Sequence, residues 1–120
     1  MIPKTSKYGV SDKAARTVDG IVFDSAAEAA RYCQLRQMER LGLIRDLELQ
    51  PSFVLQPKFE REGVRYAPIR YRADFRYYST TDKMEIVEDV KGYKTAVYEI
   101  KKKMLLRHFP SIEFREVPVR

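Results

Sequence analysis

The sequence predicts a mixed α/β fold of the α+β kind, with a mixed sheet flanked by helices. Three observations carry this. Helical patterning covers 25–42 and again 95–109. Between them, 69–78 alternates strictly, and a second strand-like run covers 84–92. A last run rich in strand formers, 112–117, follows the second helix. With a further strand at 49–59, the order is helix, three strands including a hairpin, helix, strand. A helix between two strands favours a mixed sheet with helices packed on it.

Each element has a local cause. Residues 1–17 are polar and carry Lys4, Lys7, Lys13 and Arg16, which predicts a loose basic arm ahead of one domain, 18–120. In "RTVDGIVFD", Asp19-Gly20 lies between β-branched residues and signals a hairpin. Ser25 and Glu28 form a capping-box pattern at the start of the first helix. Ala29, Tyr32, Cys33 and Leu41 are its expected apolar stripe, and Gly42 ends it. Prolines confine the strand at 49–59 to an edge or shorten it. Along 69–78, Tyr71, Ala73, Phe75 and Tyr77 point one way, and Arg70, Arg72, Asp74 and Arg76 the other. Thr95 caps the second helix. Val97, Ile100, Met104 and His108 share one face of it, and Pro110 follows its end.

Length and charge bound the function. The 120 residues suit one domain, and 44% apolar content allows a real core. Lys plus Arg number 23 against 17 acids, a net charge of +6, which favours a polyanion such as nucleic acid. The single cysteine, Cys33, excludes an internal disulfide and fits a reducing cytoplasm. "MIPKTSKYG" has no apolar core of a signal peptide, and no apolar run is long enough to cross a membrane.

The chemistry lies in "RADFRYYSTTDKMEIVEDVKG". The tripeptide acid-x-Lys is weak evidence alone, since chance predicts roughly one to two copies in a chain of this composition. Two occur. Glu99-Ile100-Lys101 falls on a helix, where residues two apart do not face each other. Asp89-Val90-Lys91 falls on a strand, where they do. A turn centred between Thr81 and Asp82 pairs Asp74 with Asp89, with Cβ atoms about 5 Å apart. Two like charges there need a cancelling partner. A protonated pair would cancel them, Arg70, Arg72 and Arg76 are the plain structural answer, and a hard cation such as Mg²⁺ is the functional one. Lys91 would then orient or deprotonate water, or steady phosphate charge.

Asp74, Asp89-x-Lys91 and a preceding helix with Glu28 resemble the PD-(D/E)XK nuclease superfamily. More closely, "DGIVFDSAAEAARY", "LELQPSFVLQP", "YRADFRYY" and "VEDVKGYKT" resemble the small phage and prophage DUF1064 group, over roughly 18–117. Ala73 stands where the superfamily pattern has proline. The resemblance implies a restriction-endonuclease-like core. It implies Asp74, Asp89 and the Val90 carbonyl as ligands of Mg²⁺ or Mn²⁺, with Lys91 catalytic and Glu28 completing the acidic cluster. Glu28 fits equally as the partner of Ser25 in a helix cap. Glu88 points to the other face, and Gln50 either faces the site or packs at a strand end. Lys94, Lys101, Lys102, Arg107 and Arg72 are the candidate DNA contacts. A charge run on a helix is also an ordinary solvated face.

The expected function is a Mg²⁺-dependent DNA endonuclease of phage or prophage origin, acting in the bacterial cytoplasm in recombination or DNA processing. Branched DNA such as a Holliday junction, cut by a homodimer, follows from the superfamily by analogy. The alternatives are a nuclease subunit that needs a partner, a non-catalytic DNA-binding module, and a small factor that blocks host machinery.

Overall fold

The computed structural model describes residues 12–119, so Lys4 and Lys7 lie outside the described residues. The described end of the expected loose arm has regular structure. Lys13–Arg16 form a 3-10 turn, and the Asp12 carboxylate accepts from the Ala14 N–H at 3.2 Å. Thr17 already belongs to β1 (Thr17–Val18), which pairs antiparallel with β2 (Ile21–Val22). Asp19 and Gly20 take φ of 54° and 76° between them, both positive as a type I′ turn requires.

α1 (Ala26–Arg40) begins at Ser25, whose hydroxyl accepts from the Glu28 N–H at 3.1 Å. It ends in a Schellman motif. Leu43 N–H donates to Met38 O at 2.9 Å and Gly42 N–H to Glu39 O at 3.0 Å, with Gly42 at φ 77°. The buried side is Glu28, Ala29, Tyr32 and Leu35. Cys33 and Leu41, expected in the stripe, are exposed. Leu41 follows the last helical residue, and Leu35 holds the position one turn beyond Tyr32 instead.

The remaining elements are β3 (Ile44–Leu49), β4 (Ser52–Gln56), β5 (Phe59–Arg61), β6 (Val64–Tyr66), β7 (Ile69–Arg72), β8 (Phe75–Ser79), β9 (Met84–Lys91), α2 (Ala96–His108) and β10 (Ile112–Pro118). The main sheet has the order β10-β9-β8-β3. β9 and β10 are parallel, with α2 as the crossover between them, and the other pairs are antiparallel. The sheet is therefore mixed, with two helices, as the patterning predicts.

β3 is absent from the sequence-based order, and the reason is a bulge. Asp46 has φ 58° and the register shifts between Arg45 and Glu48. Ile44, Leu47 and Leu49 therefore do not read with period two. The runs 49–59 and 69–78 are likewise not single strands. β3–β4 and β7–β8 form one antiparallel ribbon that breaks at Gln50-Pro51 and Ala73-Asp74. Gln50 N–H donates to Asp74 O at 2.9 Å and Ala73 N–H to Pro51 O at 3.1 Å, so the pairing continues through the break. Beyond Pro57 and Pro68 the same two segments continue as the hairpin β5–β6.

The break moves the ribbon from one core to the other. Phe75 and Tyr77 join Phe23, Ala29, Tyr32, Leu35, Ile44 and Ile86. Tyr71 and Ala73 join Phe53, Leu55, Val87, Tyr98 and Leu105. The neighbours Ile86 and Val87 on β9 serve opposite cores, as strand geometry demands.

α2 turns a different face inward from the one its apolar spacing suggests. Tyr98 and Leu105 are buried, while Val97, Ile100 and His108 are exposed and Met104 is half-buried. The Tyr98 ring offers more area to bury than Val97, and it packs 6.2 Å from the Tyr71 ring. Thr95 caps the helix by accepting from the Tyr98 N–H at 3.0 Å. Thr95→Ala is expected to cost about 1 kcal/mol, read as a lower urea midpoint at unchanged slope.

Candidate active site

The acids gather where the ribbon breaks. Asp74 stands one residue before β8, and its N–H donates to Glu88 O at 3.1 Å. In the adjoining ladder Phe75 pairs with Glu88 and Ser79 with Met84, the register that a turn centred between Thr81 and Asp82 requires. Lys83, at φ 56°, closes that turn. Extended by one step, this register sets Asp74 beside Asp89. The backbone N–H of Val90 donates to Asp74 Oδ2 at 2.7 Å and fixes the carboxyl against β9.

Glu88 and Asp89 serve opposite faces. Glu88, with no exposed area, meets the Arg31 guanidinium at 2.7 Å and 2.6 Å and accepts from the Tyr77 hydroxyl. Asp89, 3% exposed, accepts from the Tyr71 hydroxyl, and Lys91 Nζ lies 3.6 Å from its Oδ1. The Lys91 ammonium also rests 4.4 Å from the centre of the Tyr98 ring. The Tyr98 hydroxyl donates to Glu116 at 2.6 Å. Glu116 stands next to Asp89 across the parallel β9–β10 pair.

Glu28 reaches the same place from the first turn of α1. It is buried, and its carboxyl interacts with that of Asp74. Glu28, Asp74 and Gln50 line one small pocket. Ser25 caps the Glu28 backbone N–H, while the Glu28 carboxyl turns to that of Asp74.

Electrostatics follow from this crowding. Burial, and then the Glu28 carboxyl, push Asp74 up to about 7. Burial, and then Asp74, push Asp89 up to about 7. Glu116 goes the other way, down to about 2, chiefly through the Tyr98 hydroxyl and then Lys94. Burial raises the hydroxyls of Tyr71 and Tyr98, which keeps both protonated as donors.

The candidate DNA contacts divide into two sets. Arg72 and Lys101 line a groove with Ser52, Arg70, Lys91 and Thr95, beside the acids. Lys94 and Lys102 pair with Glu116 at 3.0 Å and 3.2 Å. Arg107 is exposed in the last turn of α2. Among the three arginines weighed as partners for the acids, Arg76 pairs with Glu85 instead.

Sequence reasoning missed Tyr71, Tyr98, Glu116 and Arg31. Strand alternation marked Tyr71 as core, which it is, and its hydroxyl is invisible to that pattern. Pairing across β9 and β10 would have found Glu116.

Among the described residues, no group of three or more His, Cys, Asp or Glu side chains is placed so that it could hold a metal ion. No helix among them is long and apolar enough to cross a membrane. No curated protein and no solved structure matches the chain significantly. A family model does match, over residues 5–118, and the chain belongs to the family described as protein of unknown function DUF1064.

Proposed function

We propose that this chain is a divalent-metal-dependent DNA endonuclease on a restriction-endonuclease-like core of the PD-(D/E)XK type. The observation that carries this is one convergence. Three carboxyls, Glu28, Asp74 and Asp89, meet at the ribbon break beside Lys91. A groove rich in cations adjoins them.

The donor set suits a hard cation. All three side chains offer oxygen, and burial, with a neighbouring carboxyl, holds two of them well above the usual carboxylate range. Asp74, Asp89 and Glu28, with the Val90 carbonyl, would hold Mg²⁺ or Mn²⁺. A bound ion supplies Lewis-acid polarisation of the scissile phosphate and of the attacking water.

The chain's own residues do the rest. Arg70, Arg72 and Lys101 draw the phosphate backbone into the groove. Tyr71 fixes the Asp89 carboxyl, and the Val90 N–H fixes that of Asp74. The Tyr98 ring and Asp89 hold the Lys91 ammonium at the site, where it orients the water or balances charge on the phosphate.

The test is incubation with supercoiled plasmid, linear duplex and a four-way junction, each with Mg²⁺, Mn²⁺ or EDTA. Metal-dependent cutting is expected, falling by about 10³-fold in Lys91→Ala with the fold intact. DNA binding without cutting of any substrate would overturn the enzyme reading in favour of a binding module.

A further inference from the structure

The hairpin β5–β6 takes no part in either core. Its residues Phe59–Arg61 and Val64–Tyr66 are all exposed. Yet it carries a paired aromatic surface. Phe59 and Tyr66 are cross-strand partners. Their rings stack at 4.7 Å with planes 10° apart, and they remain 44% and 46% exposed. Arg61 and Val64, the next pair but one, share their face. Two stacked rings in water, with no core beneath them, are a surface built to be covered.

Charge points to the occupant. From 57 to 70 the chain has Lys58, Arg61, Arg65 and Arg70 against Glu60 and Glu62. Arg70 lines the groove beside Lys91, and β7, which carries it, follows directly on the hairpin in the chain. Tyr66 is eight residues from Asp74, so the two backbones lie at most about 27 Å apart, or about eight nucleotides.

We propose that the β5–β6 hairpin is a DNA-contacting arm whose Phe59–Tyr66 pair stacks on unpaired bases. It therefore selects substrates with single-stranded nucleotides within that reach of the cut. This rests on the nuclease reading for the identity of the polyanion. Base stacking on aromatic rings is tolerant of sequence, and it needs bases free of a duplex stack.

The test measures binding, in EDTA, of a fluorescein-labelled thymidine 20-mer and of a 20-base-pair duplex to the full chain. Phe59→Ala/Tyr66→Ala is expected to lose about tenfold in affinity for the single strand while duplex affinity changes less than twofold. The chain has no tryptophan. Tyr66→Trp therefore gives a single indole, which keeps the affinity and is quenched by the single strand. Unchanged single-strand affinity in the double variant, or an unquenched indole at saturation, overturns the arm. If single-strand affinity is unchanged and the double variant still cuts with metal, only the arm has failed. If the wild-type chain binds neither DNA, the nuclease reading falls with it.

Discussion

Asp74→Asn is expected to move stability and activity in opposite directions. Without metal, the variant melts higher than the wild-type chain at pH 8, and it does not cut DNA. The sign follows from the protons. Asp74 and Asp89 are raised from an ordinary 3.8 to about 7 in the folded state. The folded protein thus binds protons more tightly than the unfolded chain between about pH 4 and 7. Stability from the protonated forms is full below that window and is lost as pH rises through about 7. A shift of three units corresponds to about 4 kcal/mol for one isolated group. The two shifts here share a cause, so relieving one relieves part of the other. Asn keeps the acceptor for the Val90 N–H and removes the charge, recovering about 2 kcal/mol at pH 8. For a domain of this size that is roughly 6–10 °C.

Two controls separate this from general electrostatics. Glu116, lowered to about 2, adds stability above its ordinary value near 4.5, and loses it only as pH falls toward 2. Its window, about pH 2 to 4.5, meets that of the aspartates only near pH 4 and is closed well below pH 5.5. Mg²⁺ should raise the melting temperature of the wild-type chain at pH 8 and leave Asp74→Asn nearly unmoved. A variant that is less stable than wild type at pH 8 without metal would sink the carboxyl-repulsion account. Calorimetry or circular dichroism at pH 5.5 and 8, with EDTA and with Mg²⁺, gives all four comparisons.

The parts legible in the sequence were those set by local rules. The Asp19-Gly20 turn, the Ser25 and Thr95 caps and the Gly42 stop each depend on a few adjacent residues, and all formed where their chemistry placed them. The Asp74–Asp89 register followed from one turn of four residues. What failed depended on partners distant in sequence. The bulge at Asp46 hid β3 by breaking its period. The ribbon break at Gln50-Pro51 and Ala73-Asp74 leaves the alternation of 69–78 intact while sending its two halves to different cores. That break is also what makes the site, because a straight ribbon would keep Asp74 inside the ladder. On α2, hydrophobicity alone selected Val97 and Ile100, whereas burial followed the aromatic ring and hydroxyl of Tyr98. Side chains that carry both an apolar body and a polar tip, Tyr71 and Tyr98 above all, read as core in a pattern and line the site in space.

Arg31→Ala is expected to give the largest loss of stability of any single change at the surface of α1, about 3–5 kcal/mol. Arg31 is only part-exposed, and its partner Glu88 has a side chain with no exposed area. Removing the guanidinium leaves that carboxylate buried with the Tyr77 hydroxyl alone. The unpaired charge, more than the lost ion pair, sets the cost. Arg31→Met/Tyr77→Phe/Glu88→Leu removes every member of the network together and should therefore recover most of the loss, because no polar group is left without a partner. The network also has a positional role. Neighbouring strand residues point to opposite faces, so anchoring Glu88 toward α1 commits Asp89 to the side of Lys91 and Tyr71. If this is right, the triple variant regains stability while its cutting per folded molecule stays below that of the wild-type chain. Urea unfolding gives the first quantity, and metal-dependent plasmid cleavage below the unfolding transition gives the second. A triple variant as unstable as Arg31→Ala would show that the cost lies in packing rather than in a stranded charge.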